Sequence, residues 1–346
     1  MLDYSFYEKI QNIWELYKLN FLSKEELFNL FEENFSNIPY IDQLETTNFC
    51  NMRCKMCPRY KYMTRKIKIM DMSLFKKIID ELNYIEIEKR KKWINPNIFL
   101  PKNNDLTWDW SKFDIFDLRL HYFWAPFLDP YLIDRVRYIK EKSLFWVQLS
   151  ESINNITISK AEELFKLGLN RLIIALDWLN WKEFEDNRWI AIDYNKEIEK
   201  IKEIISVKLE NSYKTHIDIQ VINLKSIDTQ KFINYWIWID WVNILLKDFF
   251  PYPGINTDLW KIDISSFSKE CSFPYTSLAI LANWKVVSCC ADYNWENILW
   301  DLNKENLYDI WHSNKYKDFR KNFIYNTFDS NSLCKRCWYY PFNNKE

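Results

Sequence analysis

The fold is indicated by a short cysteine-rich loop, Cys50-Asn51-Met52-Arg53-Cys54-Lys55-Met56-Cys57-Pro58, which follows the first predicted strand. Its C-x3-C-x2-C spacing places three thiolates on one segment. Such thiolates can hold three irons of a [4Fe-4S] cluster and leave the fourth iron open to a substrate or cofactor. A structural zinc site is the alternative, but it takes four protein ligands, and no further Cys or His lies nearby in the sequence.

Short apolar runs alternate with longer amphipathic stretches from Pro39 onward, a pattern typical of βα units. We expect strands near residues 40–45, 115–121, 145–150, 170–176, 216–222 and 241–247. Helices are expected near 72–83, 130–142, 158–167, 194–208 and 228–236. Six strands with intervening helices predict an α/β fold with an open or partial parallel barrel.

Other segments flank or interrupt this pattern. Apolar side chains at helical spacing predict a helical cap over residues 1–38. Residues 86–114 are more polar than a simple crossover and indicate a solvated loop, with an insertion near the active-site face as the alternative. Prolines after Phe249 indicate a linker. The expected domains are an extension (1–38), a barrel (39–250), a linker (251–270) and a small α+β module (271–346).

The composition excludes several classes of protein. The chain has 346 residues, 48% hydrophobic and 27% charged, with a net charge of -1, which is typical of a globular protein and argues against binding along a nucleic-acid backbone. We find neither a membrane span nor an amino-terminal secretion signal. Eight cysteines without such a signal predict a cytoplasmic protein with metal or redox chemistry.

Glycine and tryptophan occur in abnormal numbers, 2 and 18. At about 7% usage, a chain of this length carries about 24 glycines. Several Trp follow Asp or Asn, where Gly is favoured because it reaches positive φ without a steric clash. We therefore hypothesise that many Trp are glycines in the living protein, from UGA codons read as Gly; a genuinely Trp-rich sequence is the alternative. The Asp-Trp and Asn-Trp positions are Trp110, Trp178, Trp181, Trp241, Trp284 and Trp295.

The stretch from Glu45 to Phe49, the cysteine loop, Met63-Thr64-Arg65 and Met72-Ser73-Leu74-Phe75 together resemble the radical S-adenosylmethionine (SAM) superfamily at the start of its partial TIM barrel. The resemblance implies that Cys50, Cys54 and Cys57 bind the catalytic [4Fe-4S] cluster. It also implies that SAM chelates the open iron and that one electron cleaves it to methionine and a 5'-deoxyadenosyl radical, which abstracts a substrate hydrogen.

The resemblance also implies positions for SAM contacts. Trp124, Ala125 and Pro126 stand where the family has a glycine-rich turn, usually G-E-P, although Trp replaces the Gly and Ala replaces the Glu. Ser150 belongs to a segment similar to the end of the family's third strand, and Asp177 lies at the end of the fourth. Arg188 stands where many relatives have an Arg-Gly pair.

The other five cysteines lie in the last quarter of the chain. Together with Trp284 and the stretch Leu307-Tyr308-Asp309-Ile310-Trp311, their pattern resembles the SPASM/twitch module. Residues 278–288 are also expected to form a hairpin, with Asn283-Trp284 as its two-residue turn if Trp284 is really Gly. The resemblance implies that four of them ligate one auxiliary [4Fe-4S] cluster, namely Cys271, Cys289, Cys334 and Cys337. Cys290 is expected to be a core thiol because it faces the opposite side of a strand. A four-thiolate zinc ribbon is the alternative for this half.

The resemblance implies a radical SAM enzyme with a partial (β/α)6 TIM barrel. It also implies oxidation of a small polar substrate, such as a sugar or cyclitol alcohol, with the auxiliary cluster as electron acceptor. Modification of a ribosomally made peptide is the second possibility, and a non-catalytic iron-sulfur or zinc protein is the third. The expected partners are the substrate and a one-electron reductant such as a flavodoxin or ferredoxin, with no nucleic acid and no membrane. The sequence assigns no general acid or base, and the scattered His121, His216 and His312 are interpreted as structural or solvent-facing.

Overall fold

The computed structural model describes residues 4–35, 39–92, 117–121, 123–239, 242–250, 252–253 and 271–342. The helices are α1 (Tyr4–Lys18), α2 (Lys24–Asn34), α3 (Pro58–Lys61), α4 (Met72–Lys92), α5 (Leu132–Lys142), α6 (Ile158–Lys166), α7 (Trp181–Arg188), α8 (Tyr194–Glu210), α9 (Thr229–Trp236), α10 (Phe273–Thr276), α11 (Leu307–His312), α12 (Asn314–Tyr325) and α13 (Leu333–Arg336). The strands are β1 (Tyr40–Leu44), β2 (Asp117–Arg119), β3 (Trp146–Ser152), β4 (Arg171–Ala175), β5 (His216–Asn223), β6 (Asn243–Asp248), β7 (Ser277–Ile280), β8 (Lys285–Val287) and β9 (Ile298–Asp301).

Strands β2 to β6 form a parallel sheet in sequence order, with helices between successive strands. All five residues of β4 are buried, as expected for a parallel strand covered on both faces. Helix α8 covers the sheet with Ile198, Ile201 and Ile205, which recur at helical spacing. The predicted partial barrel is confirmed, and no closed barrel forms among the described strands.

The first strand belongs to a different sheet. Strand β1 pairs in parallel with β7, and β7, β8 and β9 continue this sheet in antiparallel order. The chain between β7 and β8 turns at Trp284, whose φ is 74°. The hairpin expected near residues 278–288 is therefore present, and the start of the barrel shares a sheet with the carboxyl-terminal module.

A buried ion pair joins these two parts of the chain. Arg65 donates to both carboxylate oxygens of Glu45. The same carboxylate accepts from the backbone N–H of Ala282 at 3.1 Å, and Nε of Arg65 donates to the carbonyl of Tyr293 at 2.7 Å. Because Ala282 and Tyr293 belong to the carboxyl-terminal module, the pair fixes that module to the segment that carries the cysteine loop.

The amino-terminal helices cover the carboxyl-terminal cysteines. Trp14 of α1 and Phe31 of α2 pack in one apolar cluster with Tyr275, Phe323 and Tyr340, and Cys271, Cys334 and Cys337 lie against that cluster. Arg320 of α12 donates to Glu32 of α2 at 2.6 Å. The predicted helical cap therefore packs on the auxiliary module.

The remaining expectations have mixed outcomes. All the predicted barrel helices are present, whereas α7 was not predicted. Helix α4 continues to Lys92, so the loop expected from residue 86 was wrong for residues 86–92. Residues 93–116 and most of the expected linker lie outside the described residues. None of the described helices is long and apolar enough to cross a membrane.

Candidate functional site

The cysteine loop is held on both sides by one asparagine. Asn48 precedes the loop, and its side chain accepts from the N–H of Lys68 at 2.7 Å and donates to the carbonyl of Lys66 at 2.9 Å. Its own carbonyl accepts from Nε of Arg59, in the short helix after the loop, at 2.8 Å. The loop between β1 and α3 is thus closed at its base by side-chain hydrogen bonds.

The three thiols of this loop lie close enough to influence one another. Burial raises the pKa of Cys50 to about 11 and also raises the pKa of Cys54 and Cys57. Cys54 raises the pKa of both other thiols further, because neighbouring thiolates repel each other. Iron binding must displace these protons, since the ligand is the thiolate.

The chemistry of this donor set fits a [4Fe-4S] cluster with one open iron. Each thiolate of such a cluster binds a different iron, so its ligands need not converge on one point. Among the described residues, no three Cys, His, Asp or Glu side chains converge closely enough to hold a single metal ion. Cys50, Cys54 and Cys57 are the residues of this loop that would hold the cluster.

The predicted SAM turn lies against the cysteine loop. The N–H of Ala125 donates to the carbonyl of Phe49, next to Cys50, at 3.0 Å, and Pro126 begins a short 3₁₀ turn. The indole of Trp124 is buried, and its cluster packs against Cys57 and Met63. The backbone of the turn is thus beside the loop, and the Trp124 indole occupies buried space that a glycine would leave open.

A polar network that the sequence analysis did not assign connects the turn to the loop. Glu151, near the end of β3, accepts from the N–H of Phe127 at 3.0 Å and from Asn155 at 3.1 Å. Asn155 in turn exchanges hydrogen bonds with Asn51 of the cysteine loop. Burial raises the pKa of Glu151 to about 7. A carboxylate directly after the predicted Ser150 was the available signal, since polar residues at strand ends of such barrels point to function.

The end of β4 brings two further predicted residues to the loop. Asp177 is fully buried with a φ of 68°, and it accepts from the N–H of Ile222 at 3.0 Å. Its carboxylate pairs with Arg188, whose Nη1 lies 3.7 Å from Sγ of Cys54. Ser150, half-buried in β3, pairs with Ile173 of β4. The structure therefore places Asp177 and Arg188 together beside Cys54.

The four auxiliary cysteines are also brought together. Burial raises the pKa of Cys271, Cys289 and Cys334 well above the ordinary value, and each of the three is raised further by others of the predicted ligand set, which includes Cys337. Asn297 donates to Sγ of Cys334 at 3.8 Å. Four neighbouring cysteines supply the four ligands that a [4Fe-4S] cluster takes, one to each iron. Among the described residues they do not converge on a single metal ion.

Three other polar side chains lie at or near strand ends, namely His121, His216 and Asn223. Burial lowers the pKa of His121 to about 3, so this imidazole is neutral. His216, at the start of β5, stacks on Trp146. Asn223 donates to Asp248 at 3.2 Å. These contacts are compatible with structural roles and identify no general acid or base.

Three tryptophans have backbone conformations that favour glycine. Trp189, Trp284 and Trp295 have φ values of 55°, 74° and 57°. Positive φ is rarely adopted by a bulky residue because its Cβ collides with the backbone. Trp178 and Trp181, which were also suspected, have no positive φ. Trp110 and Trp241 lie outside the described residues.

Comparison with known sequences supports the carboxyl-terminal prediction. Residues 271–338 match the model of SPASM, an iron-sulfur cluster-binding domain. The chain is also 26% identical over 73 residues to the S-adenosyl-L-methionine-dependent 2-deoxy-scyllo-inosamine dehydrogenase of Niallia circulans. That match spans 21% of this chain and 29% of the curated relative.

Solved structures share the fold across most of the chain. SuiB from Streptococcus suis bound to S-adenosylmethionine aligns with a TM-score of 0.60 and 13% identity, covering 97% of this chain and 82% of SuiB. BtrN in complex with AdoMet and 2-DOIA aligns with a TM-score of 0.52 and 14% identity, covering 89% and 94%. Both SuiB and BtrN were solved with S-adenosylmethionine bound. The chain has the fold of the radical SAM enzymes and carries a SPASM iron-sulfur cluster-binding domain at residues 271–338.

Proposed function

We propose that this protein is a radical SAM enzyme that dehydrogenates a small polar substrate, such as a sugar or cyclitol alcohol. The observation that carries the proposal is the convergence of the Trp124 turn, Glu151 and Arg188 on the C-x3-C-x2-C loop. When bound there, the reduced cluster supplies the electron that cleaves SAM to methionine and a 5'-deoxyadenosyl radical.

The residues of this chain have separate tasks in the proposal. Cys50, Cys54 and Cys57 hold the first cluster, and the backbone of the Ala125 turn and the ends of β3 and β4 position SAM. Cys271, Cys289, Cys334 and Cys337 hold the second cluster, which supplies an electron acceptor. Oxidation of an alcohol to a ketone removes a hydrogen atom, a proton and an electron, so an acceptor near the substrate is needed.

The substrate class rests on two of the similar proteins. One is a dehydrogenase of 2-deoxy-scyllo-inosamine, and the BtrN structure holds 2-DOIA. Modification of a peptide is the second candidate, because SuiB has been solved with its precursor peptide and aligns with a TM-score of 0.58. The one-electron donor in either case is a protein such as a flavodoxin or ferredoxin.

Anaerobic reconstitution tests the proposal. The purified chain is loaded with iron and sulfide, reduced with dithionite and assayed for 5'-deoxyadenosine formed from SAM. We expect the unmodified chain to form deoxyadenosine. A variant with Cys50, Cys54 and Cys57 all replaced by Ala should form none. Incubation with 2-deoxy-scyllo-inosamine should yield a product lighter by two hydrogens. If the iron-loaded protein forms no deoxyadenosine, the proposal is wrong and the non-catalytic alternative stands.

A further inference from the structure

Helix α7 ends directly on the cysteine loop. The N–H groups of Arg53 and Lys55, on either side of Cys54, donate to the carbonyls of Arg188 and Asn187 at 3.2 Å and 2.9 Å. The last carbonyls of a helix have no partner within the helix. Here the loop supplies those partners, and Cys54 is fixed between two backbone hydrogen bonds.

The side chain of Arg188 is held at this junction from several directions. One end of the guanidinium pairs with the buried carboxylate of Asp177, and Nη1 at the other lies 3.7 Å from Sγ of Cys54. The guanidinium carbon lies 5.6 Å from the centre of the Trp178 ring and 5.4 Å from that of Phe184. Only 5% of Arg188 is exposed. A planar cation with so many fixed contacts cannot easily turn away from the sulfur.

The charged guanidinium of Arg188 lies within hydrogen-bonding distance of the Cys54 sulfur. A hydrogen bond between a cation and a thiolate is stronger than a neutral one, particularly where water is excluded. Hydrogen bonds to the ligand sulfurs are among the features that set the reduction potential of an iron-sulfur cluster. They favour the more negatively charged, reduced state.

We propose that Arg188 is a positioning residue for the SAM-binding cluster, where it donates to the Cys54 thiolate and raises the reduction potential. The inference rests on the proposed assignment of Cys54 as a cluster ligand. It differs from a SAM contact, the role implied by the family resemblance, because it operates before SAM binds. Asp177 supports the arrangement by orienting the guanidinium.

The test is a potentiometric titration of the reconstituted holoenzyme without SAM, followed by electron paramagnetic resonance. The relevant cluster is the one whose signal changes when SAM is then added. We expect a lower midpoint potential for Arg188→Met, and a smaller decrease for Arg188→Lys. Lys182→Met is the matched control, because Lys182 is exposed on the same helix, and it should titrate like the unmodified enzyme.

Each outcome decides the question. Unchanged potentials in both Arg188 variants would overturn the proposal, and a raised KM for SAM with those unchanged potentials would assign Arg188 to SAM instead. If Arg188→Met loses the cluster, the midpoint potential of Arg188→Lys is the deciding measurement. Lysine keeps the charge but cannot donate hydrogen bonds to Cys54 and Asp177 at the same time. The titration requires no turnover, so absence of deoxyadenosine from the unmodified enzyme would reject the proposed function separately.

Discussion

The guanidinium of Arg65 and the carboxylate of Glu45 form a bidentate pair with N–O distances of 2.7 Å and 2.6 Å, and each side chain is 2% exposed. The pair also bonds to the backbone of Ala282 and Tyr293. Two side chains and two backbone groups are therefore hydrogen-bonded to one another at one buried point. These bonds couple the segment after the cysteine loop to the auxiliary module.

Arg65→Met should destabilise the holoenzyme by about 3–5 kcal/mol, because removing one partner leaves the Glu45 carboxylate buried without compensation. The measurement is the free energy of unfolding from anaerobic denaturation. Arg137→Met breaks an exposed pair with Asp134 and should cost less than about 1 kcal/mol. Equal losses in the two variants would contradict the coupling role.

Iron content should separate the two cysteine sets. The reconstituted chain should bind about eight irons, and replacement of Cys50, Cys54 and Cys57 by Ala should leave about four. Cys290→Ala is the control within the second group and should keep about eight irons. A loss of four irons in Cys290→Ala would show that the ligand assignment is wrong.

Replacement of Trp284 or Trp295 by Gly should destabilise the protein far less than Trp178→Gly, since relief of a positive φ recovers about 1–2 kcal/mol and offsets the lost packing of these half-buried indoles. Thermal unfolding of the holoenzyme measures the change. Trp178→Gly is the comparison: Trp178 is fully buried without positive φ, so the cavity should cost about 3–5 kcal/mol if Trp is the natural residue.

Trp124→Gly should strengthen SAM binding, because it removes a buried indole from the turn that lies against the cysteine loop. The measurement is the Kd of SAM for the reduced holoenzyme. Mass spectrometry of the protein from its natural source addresses the same hypothesis directly. Peptides containing Gly at positions 124, 284 and 295 would support recoding, whereas Trp at these positions would end it.

Glu151 should be protonated at acidic pH and about half ionised at pH 7. Burial raises its pKa from the ordinary 4.5 to about 7, so the folded state binds this proton more tightly than the unfolded state. The resulting stabilisation is full below about pH 4.5 and is lost as pH rises through about 7. Infrared difference spectra should show a protonated carboxyl band that disappears with a midpoint near pH 7 and is absent from Glu151→Gln. A midpoint near 4.5 would contradict the burial argument.

The sequence by itself determined the local chemistry. The two cysteine sets predicted the donor residues, and the alternation of strands and helices predicted the partial barrel. Ligand spacing and hydrophobic periodicity can both be read from short segments of sequence. The hairpin turn at Trp284 was also predicted, since Asn followed by a residue in a glycine position is a local signal.

Only the tertiary structure decided which of these elements meet. The pairing of β1 with β7 joins residues more than two hundred positions apart, and the contacts of Arg65 with Tyr293 and of Arg188 with Cys54 span 228 and 134 positions. Helix α7 has a weakly apolar sequence, so periodicity did not reveal it. Its position depends on the buried Phe184 and on the Asp177–Arg188 pair. Such pairings depend on how the sheets and helices pack, and no short segment of sequence specifies that packing.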